Sequence, residues 1–248
     1  MNVIYVLWLR QIKRFFRARS RIIGAIGQPL LFLIALGYGI GSVYSKAGQG
    51  NYIEFLVPGI MAQTVLFAAM FYGAMIMFDK QFGFLKETLV APVSRFKIML
   101  GGALGGATTA TLQGLLVLCI SLFLGFRPHD WALVPLAIII LGLLAVAIAS
   151  FSSGIGSFVQ DMQGFQAINQ FIVFPLYFLS GALYPLQHVP GWLRLVAECN
   201  PMSYAVDALR FVLIDQTHFG LAKDMLVLVI SVCGLVMFGA YRFRHIEA

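Results

Sequence analysis

The amino-acid sequence predicts an all-α integral membrane protein with six transmembrane helices, and three observations carry that expectation. Hydrophobic residues make up 60% of the 248 residues and charged residues 11%, against about 25% charged in an ordinary soluble domain. Uninterrupted apolar runs occur at approximately 22–42, 55–78, 101–124, 134–157, 165–184 and 225–241, each near the roughly 20 residues that a spanning helix requires. No Asp, Glu, Lys or Arg lies inside any of them. A transmembrane barrel has a different pattern, because its strands alternate over about 10 residues instead of staying apolar throughout. The whole chain, 1–248, reads as a single transmembrane domain.

Residues 1–21 are amphipathic at helical spacing. Ile4, Leu7, Trp8, Ile12, Phe15 and Phe16 share one arc, and Arg10, Lys13, Arg14, Arg17 and Arg21 share the opposite one. Such a segment predicts an interfacial helix with its aromatic face in lipid and its basic face toward the headgroups, either as a simple anchor or with a mechanical role. The run that follows is too long for the apolar core of a cleaved signal and has no convincing small-residue cleavage site, so it is expected to remain as the first span.

Six crossings place both termini on one side. Arg10, Lys13, Arg14, Arg17, Arg19, Arg21, Lys80, Lys86, Arg95, Lys97, Arg242 and Arg244 then fall on that side, leaving Lys46, Arg127, Arg194, Arg210 and Lys223 opposite. This asymmetry predicts cytoplasmic termini. The net charge of +7 is accounted for by orientation and by contact with anionic membrane lipid. No basic soluble domain exists to bind nucleic acid, so no nucleic-acid partner is expected.

Between the second and third runs lies a long cytoplasmic segment, 78–100. Phe78, Phe82, Leu85 and Leu89 recur at three and four, with Lys80, Lys86 and Glu87 elsewhere on the wheel, and Pro92 stops the helix. The segment reads either as a solvated connector or as a docking surface for a cytoplasmic partner, with Leu85 and Leu89 as the buried contacts. A plain connector needs only a few residues and no apolar stripe.

The connection at 185–221 is too apolar for a free loop. Trp192, Leu193, Leu195 and Val196 precede Asn200-Pro201, an N-cap residue followed by a proline suited to the first helical position. The second helix is greasy, and Asp207 and Arg210 stand three apart, close enough to pair. A re-entrant helical hairpin in the outer leaflet is expected, buried against the bundle. Gln166, Asn169 and Gln170, at the start of the fifth run, either bond to neighbouring helices or line a hydrated entrance. Small residues four apart, Gly37/Gly41, Gly101/Gly105, Gly102/Gly106 and Ser150/Gly154, mark candidate close helix contacts.

Cys119, Cys199 and Cys233, with His129, His188, His218 and His245, have no metal-ligand spacing. No metal site is expected. The ten acidic residues lie outside the span cores, which argues against a carrier driven by an ion bound at membrane depth. There is no charge ring or carbonyl filter sequence and no catalytic constellation, so no enzyme activity is expected. The chain lacks G-x-x-x-x-G-K-[ST], and any energy from ATP must arrive through a partner.

The chain resembles the membrane subunit of ABC exporters of the ABC-2 type, which include drug-resistance, nodulation-factor and polysaccharide permeases. The resemblance rests on the basic N-terminal helix, the six spans, the segment Phe84-Leu85-Lys86-Glu87-Thr88-Leu89-Val90-Ala91-Pro92-Val93-Ser94-Arg95, and two outer stretches. These are Leu179-Ser180-Gly181-Ala182-Leu183-Tyr184-Pro185 and Asn200-Pro201-Met202-Ser203-Tyr204-Ala205-Val206-Asp207-Ala208-Leu209-Arg210. The resemblance implies an ATPase-coupling helix carrying Phe82, Leu85, Lys86, Glu87, Leu89 and Pro92. It also implies a pathway flanked by the second and fifth spans, with Phe67, Phe71, Asn169, Phe174 and Tyr177 as candidate lining. Two permeases, identical or related, would pair with two nucleotide-binding subunits that hold ATP and Mg, in the inner membrane of the cell; this chain itself would hold no cofactor. A hydrophobic or amphiphilic small molecule is the expected cargo. A lipid-linked oligosaccharide or polysaccharide is the alternative within the family, and an ATP-independent channel or scaffold is the alternative outside it.

Overall fold

The computed structural model describes residues 3–46, 51–90 and 92–246. Met1, Asn2 and Ala91, which belong to the expected segments 1–21 and 78–100, lie outside the described residues, as do the side chains of Arg19 and Arg21. The described residues form ten α-helices and no strand: α1 (Val3–Arg17), α2 (Arg19–Lys46), α3 (Tyr52–Gln81), α4 (Phe84–Val90), α5 (Arg95–Phe123), α6 (Val134–Phe158), α7 (Met162–Phe178), α8 (Gly191–Glu198), α9 (Pro201–Ile214) and α10 (Leu221–Arg244). Single 3-10 turns stand at Trp131–Leu133 and Leu186–His188.

Local chemistry sets the helix starts. Asn51, Ser94, Asp161 and Asn200 each precede a helix in extended conformation, and each side chain accepts a hydrogen bond from a backbone N–H of the first turn. Pro201 occupies the first position of α9, where its missing N–H costs nothing.

Among the described residues, four helices are long and apolar enough to cross a membrane: α3, α5, α6 with its leading 3-10 turn, and α10. The other two expected crossings fall in α2 and α7. Helix α2 runs over Arg19–Lys46 and covers the whole expected run, with Gly27–Gly41 as its described apolar stretch. Helix α7 has 17 residues, which span roughly 26 Å at about 1.5 Å each, below the ~30 Å of hydrocarbon. It stops at Phe178 because the chain turns through Ser180 and Gly181, where Gly181 takes φ 73°, a left-handed conformation suited to glycine.

Helix α3 is the hub, packed against α2, α4, α5, α6, α7 and α9. Leu56, Val57, Ile60, Met61, Ala62, Val65 and Leu66 are inaccessible to solvent. The closest approach is to α6. Gly73 N–H donates to Ser152 Oγ at 3.0 Å, and Ser152 Oγ donates to Met70 O at 2.6 Å. A Cβ on Gly73 would collide with the Ser152 side chain and backbone.

Most of the small-residue pairs read from the sequence serve contacts within this chain. Gly101 and Gly105 admit α1, Gly102 and Gly106 admit Tyr72, and Ser150 and Gly154 face Gly239 and Phe238 of α10. Gly37 faces Ile53, whereas Gly41 borders open space, so those two do not act together.

Helix α1 differs from the expectation of an aromatic face lying in lipid. Ile4, Leu7, Trp8 and Gln11 sit against the glycines of α5, and Trp8 Nε1 donates to Thr108 Oγ1 at 3.0 Å. Gln11 and Phe15 are buried, while Tyr5 and Phe16 stay exposed. The contact forms because Gly101 and Gly105 leave a groove into which a helix backbone fits.

Gly73→Val is expected to lower stability by about 1–3 kcal/mol through overpacking. Gly142→Ala, at a mid-helix position with no atom near the added carbon, is expected to raise it by about 0.5–1 kcal/mol, because alanine is the better helix former. Thermal unfolding of the detergent-purified protein checks both.

Candidate functional site

At one end of the bundle α3 passes into α4 through Gly83, which adopts φ 79°. This tight turn swings α4 back against α3. Leu85 is 5% exposed and belongs to the bundle's own core, and Leu89 packs against that core. These two leucines therefore do not project outward as the apolar stripe implied. Phe82 (69% exposed), Phe84 (55%) and Val90 (84%) do, and Lys86, Glu87 and Pro92 are exposed with them.

Beside α4 a groove of about 930 Å³ runs along α1. Its lining combines Arg10, Lys13, Arg14 and Arg17 with Asp79, Glu87, Phe84 and Thr88. Arg10 Nη2 meets Asp79 Oδ2 at 2.6 Å, and Arg14 Nη1 stands 3.7 Å from Oδ1. Asp79 lies near the C-terminus of α3, where the helix dipole disfavours an anion, and the two guanidinium groups offset that. A second tie comes from Arg95, whose Nη1 donates to Arg244 O at 2.7 Å and to Ile246 O at 3.1 Å. It thereby holds the carbonyl end of α10 to the start of α5.

The candidate lining residues divide. Phe67 and Phe174 meet edge to face at 5.9 Å, bringing α3 and α7 together. Phe67 and Phe71 also border a cavity of about 410 Å³ between α2, α3 and α5, with Gln28, Gln63, Thr64 and Gln113. Asn169, Phe174 and Tyr177 are not part of that lining. Tyr177 is fully buried within the chain. Asn169 Oδ1 is buried without a partner, and Gln166 and Gln170 are exposed. The glutamines of the cavity do carry a sequence signal, since they are polar groups inside apolar runs. Attention to charged residues alone passes over them.

At the other end, the turn after α7 and the hairpin α8–α9 form one hydrogen-bonded unit. Asn200 Nδ2 donates to Leu176 O at 2.7 Å, and Tyr204 OH donates to Glu198 O at 2.7 Å. Arg210 Nη2 donates to Gly181 O and Ala182 O at 2.8 and 3.0 Å, and its guanidinium lies 3.8 Å above the Phe55 ring. Tyr52 OH reaches Leu183 O at 2.9 Å.

Asp207 and Arg210 do not form the expected pair. The Asp207 carboxylate instead accepts from Thr217 Oγ1, His218 N and Phe219 N at 2.8–3.0 Å, organising the turn before α10. Each side chain meets backbone groups that a local reading cannot place.

With this geometry in hand, comparison with known proteins is decisive. The sequence profile described as "ABC-2 type transporter" matches residues 2–214. The chain belongs to the ABC-2 type transporter family. It is 30% identical over 215 residues to a putative transport permease, ycf38, of Cyanophora paradoxa, covering 84% of this chain and 73% of that one. It is 28% identical to the inner membrane transport permease YadH of Escherichia coli K12 (91% and 88%), and 26% identical to nodulation protein J of Rhizobium meliloti strain 1021 (82% and 79%). The family profile takes in every helix from α1 to α9. The turn after α7, the Asn200 cap and the Arg210 anchor all lie inside the matched region. The chain is a membrane protein with a transport-permease role.

Arg210→Met is expected to destabilise the fold by about 3–5 kcal/mol, since it leaves the carbonyls of the Gly181 turn buried without a donor. Arg210→Lys is expected to recover only part, because an ammonium is a compact point charge without the planar guanidinium that stacks on Phe55. Thermal unfolding in detergent ranks the two variants.

Proposed function

We propose that this chain is the permease subunit of an ATP-driven ABC exporter in the inner membrane, with both termini cytoplasmic. Two permeases, two copies of this chain or one with a related chain, combine with two nucleotide-binding subunits that carry ATP and Mg. The cargo is a hydrophobic or amphiphilic small molecule, drug-like or lipid-like, moved outward.

One observation carries the reading. Helix α4 is anchored into the bundle by Leu85 while Phe82, Phe84 and Val90 project from it, beside a groove rich in arginine. Rings exposed next to charged side chains at the basic end of a bundle call for a protein cover, and a soluble ATPase supplies one. The anchor and the cover divide the work. Leu85 makes α4 move with α3, and the outward side chains give the ATPase its grip. Glu87 and Lys86, both exposed, contribute orientation more than affinity, because rim charges are strongly screened. The apolar hairpin α8–α9, with Trp192 and Leu195 exposed, then re-enters the outer leaflet opposite.

Phe82→Asp combined with Val90→Asp is expected to leave the fold intact and to abolish ATPase capture and transport. Losing about 1.5–3 kcal/mol of apolar burial per site corresponds to tenfold or more in affinity each. Leu85→Asp, by contrast, is expected to reduce folded protein in the membrane, since it buries an unpaired charge in the core. Pull-down of the ATPase from solubilised membranes, with permease yield measured in parallel, separates these outcomes. Wild-type capture by the double variant would remove α4 as the coupling element.

Orientation has its own test. Cys199 is exposed at the α8–α9 turn. In a form lacking Cys119 and Cys233 it is expected to react with a membrane-impermeant maleimide applied outside intact cells. Labelling only after permeabilisation would invert the topology.

A further inference from the structure

Helix α1 carries two basic pairs on the face that borders the α4 groove, and only one of them is used. Arg10 and Arg14 stand four residues apart and close on Asp79. Lys13 and Arg17 repeat that spacing beside them, line the same groove and are exposed. Among the described residues neither forms an ion pair. Side chains four apart on a helix have Cβ atoms about 6 Å from one another. Lys13 and Arg17 can therefore close on one anion as Arg10 and Arg14 close on a carboxylate.

Four cations against two carboxylates leave the groove with an excess of two positive charges, and one of the carboxylates, Asp79, is already held. Arg19 and Arg21, which follow in the sequence and whose side chains lie outside the described residues, are basic as well. Between the charges the walls are apolar, with Val6 and Leu9 on α1 and Phe84 on α4. The groove also lies at membrane level. Helix α1 is seated on Gly101 and Gly105, about 9 and 15 Å along α5 from its start, and α5 is long and apolar enough to cross a membrane. An inorganic anion would meet the cations and leave the apolar wall in water. The volume of about 930 Å³ has room for much more than a phosphate.

The geometry points to an anionic phospholipid as the occupant of this groove, with its phosphate held between Lys13 and Arg17 and its glycerol end covering Val6 and Leu9 beside Phe84. A zwitterionic lipid carries its own ammonium and gains less from the excess charge. Glu87, exposed on the α4 wall and unpaired among the described residues, repels the headgroup and limits its affinity. An acidic segment of a soluble partner would satisfy the cations too, but an apolar wall at membrane level favours lipid. The site differs from the diffuse attraction of any basic face for an anionic surface, which needs no groove and no particular pair of cations. It depends on the membrane location of the chain and not on the exporter reading.

Delipidated permease in a neutral detergent, titrated with dioleoylphosphatidylglycerol or dioleoylphosphatidylcholine, tests this, with native mass spectrometry reading the dissociation constant of the first bound lipid. The wild type is expected to bind the glycerol lipid about ten- to thirtyfold more tightly, the worth of two cations near a membrane surface. Lys13→Gln with Arg17→Gln is expected to remove that preference and keep the choline-lipid affinity. Lys80→Gln with Lys97→Gln deletes the same charge at positions outside the groove lining and is expected to preserve the preference. Glu87→Gln is expected to tighten the glycerol lipid by about two- to fivefold. Equal wild-type affinity for the two lipids would overturn the site, and this comparison needs no variant to fold. An equal loss in both double variants would overturn it in favour of diffuse attraction. Unchanged affinity in Glu87→Gln would overturn it by showing that the lipid does not reach α4. If the two lipids bind alike while Lys13→Gln with Arg17→Gln loses ATPase capture in the pull-down, the groove belongs to a soluble acidic partner and the lipid site is overturned. Because the lipid titration contains no ATPase and no nucleotide, its failure leaves the exporter reading standing.

Discussion

Helices inside hydrocarbon gain little by burying apolar surface against one another, because lipid tails solvate leucine as well as a neighbouring leucine does. Close backbone approach and hydrogen bonds between helices must therefore hold the bundle. Gly73 against Ser152 is the clearest case, since a hydroxyl bridges two helices through main-chain groups that come near only because glycine has no side chain. The same constraint recurs where Gly101 and Gly105 receive α1. It recurs again where the irregular turn after α7 finds donors in Arg210 and Tyr52. Helix α3 takes part at both ends, which makes it the reference against which the other elements are placed.

The sequence is readable where the physics is local. Long uncharged runs announce apolar helices, and Asn200-Pro201 announces a helix start that the structure places at that residue pair. It is unreadable where partners come from elsewhere in the chain. A leucine every three or four residues on a short connector looks the same whether it faces a foreign protein or its own bundle, and Leu85 faces its own. Asp207 and Arg210 have the spacing of an ion pair, yet each is claimed by backbone groups from a different turn. Tyr177 gives no sign in the sequence of the complete burial it has in the fold. The apolar run at 165–184 overstates its helix, because composition does not register a turn at Gly181 that stays buried and apolar.

Polar chemistry is sorted along the bundle. Groups that keep a permanent charge lie toward its ends, with Arg10, Arg14 and Asp79 at one and Asp207 and Arg210 at the other. Between them the buried hydrogen-bonding side chains are amides and hydroxyls: Gln63, Thr64, Thr109, Thr111, Gln113, Ser150, Ser152 and Ser153. Neutral groups at depth can exchange partners at modest cost, whereas a stranded ion cannot. A bundle built this way can shift its helices without leaving a charge in hydrocarbon.

The tie made by Arg95 bears on how α4 responds to load. Helix α4 continues from α3 at one end, and at the other leads through Ser94 into a residue lashed to the last carbonyls of α10. It is thus clamped at both ends, like a beam and unlike a hinged arm. A force on such a beam divides between its supports, loading α3 directly and α10 through the guanidinium. Since α10 packs along α6 and α9, the second share of the load has a continuous path to the far end of the molecule that bypasses the central helix.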